Sequence, residues 1–519
     1  MSLSKTALWL ALAALAMLLV SCSSEDDGQA KAYYISPSGS DEEGKGTQKA
    51  PWKTLAYAAK HVPENAGHTI RMEAGIYDET LQTVLPLGVN LEGAGAEETI
   101  LKSNIPVFLI KLTSSVQTDG NQTLSGFQID GMDKSLEGGV WVEGRNNVVL
   151  HHLKFNRIND RGAVIVAKSG LSFMAEPPYY LTGIEVYETE FIDSANDYQD
   201  FSTGNLNIGG LDGAQIHHIK VTDSIGYGIK FMEFGYFRNT SIYQCEIQVN
   251  EEDPLWGEDI SVELWNLSEG NELYEVNANT WFSIVNTPGF NKDGKRSITV
   301  RDNRIIGTKY NSVKEAIEIG TPGTEIYNNY IEQKGIGIAI WDGARGDISI
   351  HHNIFSNRTH QRVHWSDSSG ILISNARDFD YSHISIYHNV FHKYQTGVMI
   401  ENLGTNSISD IRVQNNVFLE MTKPAIRVKG DAISEVAVSH NLQFGSGWTG
   451  ENRWFNAPDP GLISLTDNLE SDPLFTGTGE KWGDYYRPLP SSDLIDNGTD
   501  VEMPFEGAAP DIGRYEIVQ

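Results

Sequence analysis

Lys230, Glu263 and Glu318 each stand at the centre of a short segment in which apolar residues flank the charged one. The flanking pairs are Ile229 and Phe231, Val262 and Leu264, and Ile317 and Ile319, with Phe282/Ile284 and Ile338/Ile340 forming the same frame around Ser283 and Ala339. In a β-strand such alternation sends the flanking residues inward and the central one outward. Aligned, the segments give an outward column Lys230, Glu263, Ser283, Glu318 and Ala339, preceded by Asn207 and followed by Leu372, Met399 and Arg427. A second outward column holds Met232, Trp265, Val285, Gly320 and Trp341. If successive segments are stacked parallel strands, Glu263 and Glu318 lie two spacings apart, about 10 Å between Cα atoms. Side-chain reach then brings the carboxyls into the ~6.5–9.5 Å window of an inverting pair, with a water between them at Ser283. Lys230 beside Glu263 favours its ionised, basic form and leaves Glu318 as the acid, with Asp342 as the alternative partner. Trp265 and Trp341 would offer indole faces to a sugar ring, and outward carboxylates on an open strand surface contribute little to stability.

These positions require a repeating scaffold, and the second half of the chain supplies one. Asn303, Asn329, Asn353, Asn389, Asn416 and Asn441 recur at spacings of 26, 24, 36, 27 and 25 residues, mostly followed two residues later by Ile or Phe. A period near two dozen residues is that of a stacked-coil solenoid. Between the phrases run alternating segments such as Gly337–Trp341, Gly370–Ser374 and Gly397–Glu401. No 3.6-residue periodicity competes with them, so the coils are all β. An Asn at a fixed turn tolerates left-handed backbone geometry and can bond neighbouring main chain. From residue 123 to 444 the chain resembles the right-handed parallel β-helix proteins of the pectate-lyase superfamily. That likeness implies a single-stranded, all-β solenoid.

The ends are distinct. Residues 33–41 and 51–59 resemble the entry segment of secreted β-helix enzymes, with a capping helix from about Trp52 to His61 that closes the open end of the stack. Residues 445–519 read as a loop-rich C-terminal cover, leaving the β-helix itself to residues 33–444. Lys5, an apolar run from Ala7 to Val20, and Leu19-Val20-Ser21-Cys22 resemble a bacterial lipobox, with residues 1–21 as signal peptide and Cys22 lipidated. Residues 22–32 then form a polar tether, and the protein is expected as a monomer on the surface of a Gram-negative outer membrane. With 69 acidic against 39 basic side chains and a net charge of −30, nucleic acid is not an expected partner. Two cysteines, Cys22 and Cys245, exclude a disulfide framework.

Three functions compete for this surface. The leading reading is a glycoside hydrolase acting on a polysaccharide or oligosaccharide and requiring no cofactor. Arg362, His364 and Glu401 join the tryptophans as substrate contacts, the first two from the insertion at residues 357–367 that also carries Arg358, His360, Trp365 and Asp367. His360 and His364 lack a third ligand for zinc. The second reading is a polysaccharide lyase in which Lys230 is the base and calcium is held by Glu233, Glu258, Asp259 or Glu263. Neither the Asp-rich calcium box nor the Lys/Arg signature of lyase families is present. The third is a non-catalytic binding solenoid, for which bland Ser, Thr and Asn columns are expected in place of clustered acids. The pairs His151-His152, His217-His218 and His351-His352 read as turn residues, one member of each buried.

Overall fold

A computed structural model describes residues 29–132, 135–195, 203–249, 260–288, 290, 295–307, 315–332, 334–341, 343–357, 368–376, 379–450, 452–478 and 483–517. The chain is a parallel β-helix. Among the described residues 39 strands join in one continuous hydrogen-bonded sheet whose neighbours pair in parallel. Each coil contributes three strands, and one coil illustrates the rest. Trp281–Val285 lies on a first face, Ile298–Arg301 on a second and Arg304–Ile306 on a third. They pair with Glu315–Gly320, Thr324–Tyr327 and Tyr330–Glu332 of the next coil. Alternate side chains from all three faces meet inside, where Ile, Val, Leu and Phe form a core that runs the length of the stack. Phe355, Phe391 and Phe418 stack there with centroids 4.8 and 5.1 Å apart, the strand spacing itself.

The corner between the second and third faces repeats with little variation. Its left-handed residue is the one before each Asn: Asp302, Asn328, His352, His388, Asn415 and His440 all have φ between 52° and 56°. The phrase asparagines do not take the left-handed geometry expected of them, but they do bond the main chain of their neighbours. Each is buried and links to the next. Asn353, for example, donates from its backbone N and its Nδ2 to Oδ1 of Asn389 at 3.0 Å, and Asn389 does the same to Asn416 at 2.9 and 3.0 Å. Nδ2 also reaches main-chain carbonyls, as from Asn389 to Ile350 and Tyr387. The ladder continues to Asn468. It begins at Asn303, whose Oδ1 accepts from Val276 N; Val276 and Cys245 hold the same rung in the two coils above.

The histidine pairs belong to this corner. His152, His218 and His352 are its left-handed residues. Their partners His151, His217 and His351 are not turned into the core, although His351 is buried. They enter outward ring stacks on the second face, His151–Tyr187–His217–Tyr243–Tyr274 and Tyr327–His351–Tyr387.

At the N-terminal end the helix Leu55–His61 is capped by Thr54, whose Oγ1 accepts from Tyr57 N, and buries Leu55, Ala56, Ala58 and Ala59. At the other end, pairing runs one coil past Phe444. Phe455–Asn456, Ile463–Thr466 and Leu469–Glu470 all join the stack, so the β-helix extends beyond the boundary read from sequence. Beyond Glu470 the chain turns back along the third face. Tyr486, Leu494 and Ile512 cover the outward apolar column Tyr330, Ile354, Val390, Val417 and Leu442. Tyr486 Oη bonds Ser356 and the Nδ1 of His392. Among the described residues no helix is long and apolar enough to cross a membrane.

The ladder should carry a measurable share of stability. Asn389→Ala removes both acceptor and donor from a buried chain of bonds, and a loss of about 2–4 kcal/mol is expected from the groups left unpaired. Thermal denaturation checks this. A melting temperature within a degree of the parent would show that the ladder is incidental.

Candidate functional site

The first face carries the candidate residues, and its register places them as their spacing predicts. Asn207 pairs with Lys230, Lys230 with Glu263, Glu263 with Ser283, Ser283 with Glu318, and Glu318 with Ala339. Leu372, Met399 and Arg427 continue the same column. Trp265, Val285 and Gly320 are aligned in the second column, and Trp341 N donates to Ile319 O at its foot.

The surroundings differ from an open strand surface. Lys230 Nζ lies 2.5 Å from Glu263 Oε2, with only 6% and 10% of the two side chains exposed. Beneath the ammonium, 3.4 Å from Nζ, is the ring centroid of Tyr227, and that of Phe231 lies at 5.0 Å. Further along, Ala339, Leu372 and Met399 point outward yet are buried, clustered with Ile336 and against Trp341. The expectation that these side chains are solvated, and that the carboxylates matter little to stability, therefore fails for the Lys230–Glu263 pair. A buried pair is costly to break from one side.

Glu318 is held differently. Its Oε2 accepts from Ser283 Oγ at 2.6 Å and its Oε1 from Trp341 Nε1 at 2.7 Å. Burial, reinforced by the charge of Glu315, pushes its carboxyl up to about 7, even though both hydrogen bonds pull the other way. Ser283 is thus a partner of the acid, not a gap for water. Trp341 is committed to the same carboxyl, so its indole is an orienting group before it is a platform. Trp265 is half-buried and stacked on Phe231 at 4.7 Å, which covers one indole face. Phe231 itself, read as fully inward, is only partly buried because it leans into that stack. Glu401 lies lower in the second column and pairs with Lys429 at 3.4 Å.

Tyr227 and Glu315 escaped the sequence reading. Each stands three residues before the central position of its strand, at an end of the face where the alternating frame does not reach. On the strand between them the register shifts between Ile260 and Val262. Alternation cannot be carried through such a bulge. Asp342, Glu258, Asp259, Arg358, His360, Arg362, His364, Trp365, Asp367 and Cys22 lie outside the described residues. Glu233, a calcium candidate, instead accepts from the backbone N of Gly170 and Leu171. Among the described residues no group of three or more His, Cys, Asp or Glu side chains is placed to hold a metal ion.

No family model matches the chain, and no curated protein does. Solved structures do. A pectate lyase is 13% identical over 94% of this chain and 96% of its own, with a TM-score of 0.30. The A-module of a mannuronan C-5 epimerase from Azotobacter vinelandii is 12% identical over 80% and 93%, with a TM-score of 0.34. A tailspike protein mutant of E. coli bacteriophage HK620, in complex with a pentasaccharide, is 11% identical over 85% and 79%, with a TM-score of 0.46. The likeness is one of fold.

Two substitutions should move stability in opposite directions. The Glu318 carboxyl, normally near 4.5, titrates at about 7 in the fold. Folded protein therefore holds a proton that the unfolded chain has released, and the associated stability is complete below the lower value and lost as pH rises through the upper. Glu318→Gln abolishes this titration and should be more stable than the parent above neutrality, by on the order of 3 kcal/mol, with the gap closing near pH 4. Lys230→Met leaves Glu263 buried without its cation and should cost about 3–5 kcal/mol. Urea denaturation across pH measures both, and parallel pH curves for parent and Glu318→Gln would overturn the assignment.

Proposed function

We propose that the protein is a glycan-cleaving enzyme, a glycoside hydrolase in which Glu318 is the general acid and Glu263 the ionised partner. One observation carries the reading. Two carboxyls on one column, two strand spacings apart, sit in different environments: Glu318 is pushed up to about 7, whereas Glu263 lies against an ammonium. Such divergence is how one site holds a proton donor and a carboxylate together at neutral pH. Separation of about 10 Å between their Cα atoms is compatible with the ~6.5–9.5 Å between the carboxyls of an inverting mechanism.

In that mechanism Glu318 gives its proton to the glycosidic oxygen as the bond to the anomeric carbon breaks. Glu263 takes a proton from the water that adds to the opposite face. Trp341 and Ser283 fix the orientation of the acid. Lys230 keeps Glu263 charged, and Tyr227 holds Lys230 in place. The elimination reading asks Lys230 to be the base; its contacts, a carboxylate and an aromatic face, are those of a charged ammonium and favour hydrolysis. A glycan is also the class of molecule that the tailspike protein holds, as a pentasaccharide.

Digestion of a glycan panel should release reducing ends without an unsaturated product. Glu318→Gln should lower turnover by about two to four orders of magnitude, the share a positioned acid supplies, and parent activity should fall as pH rises through about 7. Unsaturated uronate product, or full turnover in Glu318→Gln, would refute the mechanism.

We further propose that Cys22 is lipidated and anchors the protein at the outer membrane. Labelled palmitate should be incorporated by the parent and not by Cys22→Ser, and label retained in the variant would dismiss the anchor.

A further inference from the structure

Immediately after the strand Tyr227–Phe231, which carries Lys230, the backbone does something found at no other described end of this face. Glu233, Phe234, Gly235 and Tyr236 are all left-handed, with φ of 49°, 62°, 81° and 68°. Elsewhere between this face and the second such residues are scattered, as at Gly210 and Gly213 or Asn266 and Gly270, and the longest other consecutive run is the three of Arg345, Gly346 and Asp347. Left-handed geometry is disfavoured for L-residues with a Cβ, and three of these four have one. Such a run persists only where its surroundings hold it, and strained turns of this kind cluster at ligand sites.

What holds it is a loop. Glu233 accepts from the backbone N of Gly170 and Leu171, and Tyr236 Oη donates to Met174 O at 2.7 Å. On the other side Ser169 donates from N and Oγ to Glu143. The loop is therefore tied down at both flanks, yet its tip presents Phe173 with 77% of the residue exposed. Phe173 meets Phe234 edge to face, centroids 5.1 Å apart, and Phe234 is only half-buried. A bare aromatic on a tethered loop is not what stability selects.

We infer that Phe173 and Phe234 form an aromatic subsite that binds a sugar unit of the glycan beyond the reacting bond. This rests on the function proposed above. Continuity with that site identifies the occupant: Phe234 is four residues from Lys230, and the same turn is bonded to the strand of Glu263, Tyr236 N donating to Trp265 O at 3.1 Å. An exposed, edge-supported phenyl ring offers its face to the C–H face of a pyranose. The strained turn fixes that ring relative to the carboxyls, so that the subsite sets which bond of a chain reaches them.

The test uses full-length Glu318→Gln protein, which binds without turning over, and an oligosaccharide drawn from the panel that the parent cleaves. Phe173→Ala in this background should weaken affinity about tenfold with an unchanged melting temperature, and Phe173→Trp should restore it. Glu233→Ala should give a similar loss together with faster amide exchange at residues 169–174. Affinity unaltered by Phe173→Ala would overturn the subsite and leave the hydrolase standing. Absence of glycan binding by the Glu318→Gln protein itself would overturn both.

Discussion

Everything in this molecule depends on one backbone event, the single left-handed residue at the corner between the second and third faces. It recurs from Gly126 and His152 through His218, Gln244 and Glu275 to His440 and Asp467. With that corner constant, each coil returns to the first face in register, and side chains many residues apart in sequence become neighbours along a column. The asparagine ladder reinforces the corner from Asn303 onward; above it the rung holds Val276 and Cys245, which are buried apolar residues without an amide to extend the ladder. Register is thus a property of backbone geometry first and of side-chain bonding second.

Register alone would have produced a solvated stripe. The first face departs from that because many of its outward side chains, Lys230, Glu263 and Ser283 among them, are buried. Burial makes the Lys230–Glu263 pair stabilising only as a pair, and it raises Glu318 against the pull of two hydrogen bonds. The two carboxyls therefore differ in what accompanies the same desolvation: Glu263 lies against the Lys230 ammonium, and Glu318 is raised further by Glu315. Trp341 and Ser283 limit how far that second effect goes.

The fold and the column were legible in the sequence because both rest on period: two along a strand, about two dozen along the stack. The pairing of Glu263 with Ser283 and Glu318 follows from aligning apolar flanks. Period says nothing of what covers a face, so the burial of Lys230 and the commitment of Trp341 to Glu318 could not be read. It also fails where period breaks. Tyr227 and Glu315 lie beyond the apolar flanks that mark the column, and the left-handed run at Glu233–Tyr236 contains only one glycine to announce it. The Asn phrase does mark a corner, but the left-handed residue is its neighbour, a position shared by Asp, Asn and His because each tolerates that geometry.

The C-terminal segment has a consequence for how the chain comes into being. Tyr486 bonds a residue 130 positions earlier and His388 reaches Gly513 across 125. Coils can close one after another as they are made, since each needs only the coil before it. The third face of the lower coils cannot be finished in that order. Until residues 486–512 arrive, Tyr330, Ile354, Val390 and Val417 form a bare apolar seam, so this half of an otherwise sequentially assembled stack waits for a much later segment of polypeptide.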